Sequence, residues 1–229
     1  MAKHLDLEEQ EQLDELKHFW KQYGDLITWT LIAVLGAFAA WNGYQYWQRA
    51  QAAKAAVMYE EIERAVQSGE PARIDRSLSE MKERFGRTTF AEQGALLAAK
   101  AYQDKGSLDA SQGALKWVAE NGADVGYQSV ARLRSASILV EKKAYAEALL
   151  LLAAPFPSDF SGLVADRRGD IYMAQGKKAE AKVEYNTAWK AMDERAEYRR
   201  MVEVKLNALG VDTASATELA TAEKSKDSK

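Results

Sequence analysis

Residues 26–48 (LITWTLIAVLGAFAAWNGYQYWQ) are 23 consecutive residues without a formal charge, near the front of a 229-residue chain. As a helix this run spans roughly 35 Å, against about 30 Å for the hydrocarbon core of a bilayer. Trp29 stands near one end, and Trp41, Tyr44, Tyr46 and Trp47 crowd the other. Amphipathic rings at both ends of an apolar run suit the two interfaces of a membrane. Lys17 and Lys21 before the run, and Arg49 and Lys54 after it, are placed to reach headgroups. A cleaved signal peptide does not fit, because the run is too long and follows 25 mostly polar residues. The segment therefore predicts a single transmembrane anchor in contact with membrane lipid.

Charge does not say which side each end faces. Lys3, Lys17 and Lys21 precede the span and Arg49, Lys54 and Arg64 follow it, an even balance of the residues that set topology. The first 25 residues carry three lysines against seven acidic side chains, −4, while the whole chain is −3, so everything after them sums to +1. A near-neutral domain has no basic excess with which to bind nucleic acid through its phosphates.

The remainder is long enough for one domain with a sizeable core. Three prolines in 229 residues, with abundant Ala, Leu, Glu, Lys and Gln, favour helix throughout. Cysteine is absent, and both histidines, His4 and His18, precede the span. The large domain thus lacks the side chains of common metal sites and of most nucleophilic dyads and triads. No cofactor and no metal are expected.

Leu13, Leu16, Trp20, Tyr23 and Ile27 recur at helical spacing, so a short amphipathic helix is expected to lead into the membrane after a frayed first dozen residues. Residues 49–67 contain no breaker and read as a helix continuing out of the span, stopped by Ser68-Gly69-Glu70-Pro71. Helices are then predicted at 72–84, 89–105, 108–120, 127–141, 144–154, 160–175, 177–193 and 196–209, with Gly106, Lys142-Lys143 and Gly176 turning successive pairs. Pairs recurring every 33 to 37 residues mark a helical solenoid. Gly169, Tyr172, Gly176, Ala181, Tyr185 and Ala188 match the tetratricopeptide (TPR) pattern of small, aromatic and turn positions. Ala136, Leu139, Ala148 and Leu152 fit the same frame with Lys143 at the turn, and Ala99, Tyr102, Gly106 and Leu115 fit it with Ser111 at a small position. The pair before them carries little of the pattern. The predicted fold is all-α: a transmembrane helix, then a TPR-like solenoid of about four helix pairs plus a C-terminal helix. Its parts are an acidic tail at 1–25, the span at 26–48, the domain at 49–210 and a disordered tail at 211–229.

An acidic tail, one span and a short degenerate TPR domain, in that order, resemble the YfgM family of single-pass ancillary subunits of the bacterial SecYEG translocon. Residues 11–24 (EQLDELKHFWKQYG) look like that family's approach to the membrane, and Tyr46-Trp47 resembles its aromatic exit. Residues 164–170 (VADRRGD), followed by Gly176 and Ala181, resemble its last repeat. The resemblance reaches to Gly210. It implies an inner-membrane protein with a cytoplasmic N-terminus and a periplasmic TPR-like domain. It also implies association with SecYEG and with the membrane-anchored periplasmic chaperone PpiD, and a role in passing secreted proteins from the translocon to periplasmic chaperones.

Two sets of residues are candidate contact sites. Gly36, Ala40 and Gly43 share one face of the span, where small side chains let another membrane helix approach closely. In a TPR array the first helix of each pair lines the concave face; by the frame above, Lys100, Gln103, Leu133, Ser137, Val140, Asp166, Asp170 and Met173 would point there. Such a mixed groove suits extended or helical peptides. Asp166 and Asp170 lie one helical turn apart and could each pair with a basic residue on the next helix. The expectation is a non-enzymatic adaptor. The alternatives are a TPR scaffold of another envelope assembly or stress-regulation complex and, from a different class, a hydrolase using paired carboxylates.

Overall fold

The computed structural model describes residues 7–213, with side chains from Leu13 onward. The tail expected at 211–229 therefore lies, after Thr213, outside the described residues, as do residues 1–6. The described residues are helical with no strand. Two compact units divide the chain, Met1–Ala53 and Lys54–Lys229.

Helix α1 is assigned continuously from Leu7 to Ser68. It starts inside the stretch expected to be frayed, where Glu, Gln and Leu are good helix formers and acidic side chains suit a helix N-terminus. In the first unit, residues 26–48 expose large side chains on all sides: Leu26, Trp29, Leu31, Val34, Leu35, Phe38, Trp41 and Tyr46 are each more than half exposed. Only 6% of the most apolar window is buried, so this helix is not a protein core. Several of its polar side chains bond back along the helix, which suits a hydrocarbon surrounding. Thr28 and Thr30 donate their hydroxyls to the carbonyls of Gly24 and Leu26, each at 2.7 Å, and Asn42 donates to the Phe38 carbonyl at 2.9 Å.

In the second unit the end of α1 is followed by α2 (Pro71–Phe85), α3 (Thr89–Asp104), α4 (Leu108–Asn121), α5 (Val125–Glu141) and α6 (Tyr145–Leu152). A short 3-10 turn at Ser158–Phe160 leads into α7 (Ser161–Ala174), then α8 (Lys178–Ala191) and α9 (Glu197–Ala208). Each helix packs on its neighbour in sequence along the array from α2 to α9. Three hydrophobic clusters follow one another in the same order, from Ala55 to Ile138, from Leu133 to Ile171 and from Ala165 to Leu206. This is the one-dimensional core of a solenoid.

The repeat is legible in one backbone device. Gly69, Gly106, Lys143, Gly176 and Gly210 all have positive φ, between 59° and 75°. After four of them the same bond closes the preceding helix: Ser107 N–H to Tyr102 O, Ala144 to Leu139, Lys177 to Tyr172 and Val211 to Leu206, at 2.8–3.1 Å. That is a Schellman closure, which satisfies a carbonyl otherwise orphaned at a helix C-terminus. Lys143 holds the left-handed conformation with a Cβ, where the other four positions have glycine.

Between paired helices the fit depends on small residues. A Cβ on Gly169 would overlap the ring of Tyr185. The first pair inverts the sizes. Ile62 is fully buried, and its Cδ1 would lie 2.8 Å from a Cβ on Gly94 of α3, so the neighbouring helix supplies the space. Buried Ile74, Leu78 and Met81 of α2 complete that pair, whose frame is regular in space although its residue types are not.

Candidate functional site

The seam between α3 and α5 is pinned near both ends by side chains. Gln93 donates to the Tyr127 hydroxyl at 2.6 Å, and Gln103 donates to the Glu141 carboxylate at 2.7 Å. Between these pins lies an open groove of about 270 Å³ lined by Ala99, Lys100, Gln103, Ser111, Leu115, Arg134 and Ser137. Its apolar floor comes from Ala99 and Leu115, both buried. Ser111 at the base is fully buried and donates to the Ala99 carbonyl at 2.7 Å, tying α4 to α3. Lys100 pairs with Asp104 at 3.2 Å, a highly exposed i,i+4 contact of small energetic weight. Arg134 is exposed and has no anionic partner among the described residues. The groove thus offers an apolar floor, hydroxyl and amide edges, and one cation free to meet a carbonyl or carboxylate.

Of the eight predicted groove residues, Lys100, Gln103 and Ser137 line this cavity together. Leu133 is 9% exposed and sits in the core with Val140 packed beside it. Met173 is on the exposed surface of α7. Arg134, Ser111 and Leu115 line the groove without having been singled out for it. Arg134 is one position from Leu133 and three before Ser137, so its helical spacing from Ser137 was the available signal.

Asp166 and Asp170 belong to a different arrangement. Asp166 is 1% exposed. Lys205 of α9 places Nζ 2.7 Å and 3.0 Å from the two Asp166 carboxylate oxygens and 2.7 Å from Asp170 Oδ1. Tyr198 donates its hydroxyl to Asp166 and Tyr185 donates to Asp170, each at 2.8 Å. Arg167 adds a contact to Asp170 at 3.3 Å. The two carboxylates therefore share one lysine, drawn from α9 rather than from the helix that follows them. Burial first, and the hydrogen bond to Asp166 second, push the Tyr198 phenol up to about 12. Burial and the bond to Asp170 hold the Tyr185 phenol well above its ordinary value. These carboxylates lock three helices together.

The small positions of α1 are open. Gly36, Ala40 and Gly43 are exposed, and a Cβ built on either glycine meets nothing within 4 Å.

A tetratricopeptide repeat-like domain family matches residues 17–211. A curated protein of Neisseria gonorrhoeae named Ancillary SecYEG translocon subunit is 33% identical over 213 residues, covering 91% of this chain and all of the relative. The chain belongs to the family of ancillary SecYEG translocon subunits. Members of this YfgM family from Haemophilus influenzae and Escherichia coli, carrying the same name, are 26% and 25% identical, each over 89% of this chain and 98% and 97% of their own lengths. No solved structure matches the chain significantly. In this family member the apolar part of α1 fits a membrane anchor, and the helical repeat scaffold points to binding rather than catalysis.

Proposed function

We infer that this chain is a membrane-anchored adaptor that associates with the SecYEG translocon and holds polypeptide segments in the α3/α5 groove. It lies in the bacterial inner membrane with its N-terminus in the cytoplasm and its TPR-like domain in the periplasm. There it helps hand secreted or envelope proteins from the translocon to periplasmic chaperones, with a PpiD-like chaperone among its partners. The face of Gly36, Ala40 and Gly43 docks a helix of the membrane complex. Support for the association comes from relatives named for it, which align with about nine-tenths of the chain. The observation that carries the binding role is the groove itself: an apolar floor flanked by Lys100, Gln103, Ser137 and the unpaired Arg134.

A photoreactive residue at Lys100 or Ser137 should trap exported polypeptides in living cells, while one at exposed Glu180 on α8 should not. Equal trapping at both places would remove the groove from the account. Purification from gently solubilised membranes should bring translocon subunits along, and photoreactive side chains at Gly36 or Gly43 should reach one of them. Loss of all translocon subunits under those conditions would overturn the association. Orientation is read with a cysteine at exposed Ser158 in a chain that has no other. It should react with a membrane-impermeant thiol reagent once the outer membrane is permeabilised, and protection from the reagent would place the domain on the cytoplasmic side.

A further inference from the structure

Helices α3, α5 and α7 carry different residues at one shared place in the repeat. Nine positions before the left-handed turns at Gly106, Lys143 and Gly176 stand Leu97, Arg134 and Arg167. Leu97 is half-buried and packs on the core. Arg167 contacts Asp170 at 3.3 Å, and together with Lys205 it balances Asp166 and Asp170, two cations against two carboxylates. Helix α5 packs against both α3 and α7, so Arg134 stands between these two positions. Its own level of the array offers it an aliphatic side chain on one side and an already balanced cation on the other.

Lys100 and Arg134 are the charged residues lining the α3/α5 groove, and both are basic. Lys100 shares its charge with Asp104 at 3.2 Å. Glu141, one turn beyond Ser137, accepts from Gln103 at 2.7 Å. Seven residues separate it from Arg134 along α5, about 10 Å, which exceeds the screening length of about 8 Å in physiological salt. The uncompensated charge of the groove is therefore the Arg134 guanidinium. One turn along from it, Ser137 donates its hydroxyl to the Leu133 carbonyl at 3.1 Å, which leaves the oxygen's lone pairs for a peptide N–H. Buried Ala99 and Leu115 supply apolar surface beside both.

We propose, resting on the reading of this groove as a polypeptide site, that it selects segments carrying an Asp or Glu side chain and that Arg134 is the residue that meets it. A guanidinium fork matches a carboxylate with two charge-assisted hydrogen bonds, stronger than those it makes to a neutral carbonyl. A single free cation beside an apolar floor and a hydroxyl acceptor fits one carboxylate on a peptide; a polyanion needs a run of cations. The carboxylate comes from a side chain, because a polypeptide in transit offers side chains along its whole length and its C-terminus only once.

The test uses the full chain in its membrane. A photoreactive residue replaces Lys100, whose charge is already shared with Asp104, and mass spectrometry reads the joined peptides. Asp or Glu should lie within about three residues of the joined position, a reach of about 10 Å. It should do so about threefold more often with Arg134 than with Arg134→Gln, the scale of an exposed ion pair. Arg134→Glu should turn the preference toward Lys and Arg. Arg134 is exposed, so circular dichroism should be unchanged in both variants. A reversal of peptide composition is a readout that a general loss of fold does not produce. The same composition in all three chains would overturn the proposal, as would an acidic preference confined to C-terminal peptides. Failure of the groove itself reads differently. Trapping at Lys100 no higher than at Glu180 removes both the groove and its selectivity, whereas abundant trapping without acidic preference removes the selectivity alone.

Discussion

Lys205 on α9 lies within 3.0 Å of both carboxylate oxygens of Asp166 on α7, and Asp166 is almost wholly buried. A buried charge of this kind is costly once its partner is removed. Lys205→Met should destabilise the domain by about 2–4 kcal/mol, less than the full cost of a deeply buried pair because the lysine keeps some exposure. Pairing it with Asp166→Asn should recover part of the loss. Urea unfolding of the detergent-solubilised chain, followed by circular dichroism, measures both variants.

The tyrosines around that pair give the domain an alkaline limit. Tyr198 titrates at about 12 in the fold, and Tyr185 and Tyr102 are also raised by burial and by hydrogen bonds to Asp170 and Asp75. A raised folded value means that the folded state holds protons which the unfolded state releases from about pH 10 upward. Stability contributed by these phenols is therefore intact below pH 10 and declines as pH rises through 10 to 12. Tyr198→Phe should flatten the part of that decline that Tyr198 supplies, read as melting temperature against pH. An unchanged slope would remove Tyr198 from the account.

Lys143 adopts φ 59° where four equivalent turns use glycine. Lys143→Gly should stabilise the domain by about 0.5–1 kcal/mol, the steric relief exceeding the added flexibility of the unfolded chain. Gly176→Ala, at φ 75° in otherwise open space, should cost about 1 kcal/mol for the converse reason. Thermal unfolding of the two variants should move in opposite directions.

Gly169 and Tyr185 are fitted to each other. Gly169→Ala should cost about 2 kcal/mol by forcing the ring off its position. Adding Tyr185→Leu should recover part of that, because the overlapping atoms are removed. A double-mutant cycle with no coupling energy would show that the contact carries no weight.

Much of this architecture could be read from residue order. Gly106, Gly176 and Gly210 announced their turns, and the helix boundaries fall within a few residues of those predicted from breakers and periodicity. The first pair escaped the pattern because Ile62 stands where a small residue was sought, and its room comes from Gly94 on another helix. Single-chain spacing cannot show that kind of exchange across helices. Lys205 was hidden for the same reason: it lies 35 residues from Asp170 and meets it only through packing.

Arrays held by neighbour contacts fray from their ends, since a terminal unit has only one side to lean on. The described array ends near α9, and that is where Lys205 fastens to Asp166 and Asp170. The clasp raises the cost of peeling the last helix away and so lengthens the time the repeats stay stacked under load. Under any such pull, the last described helix is stitched down by a lysine shared between two carboxylates, one of them buried.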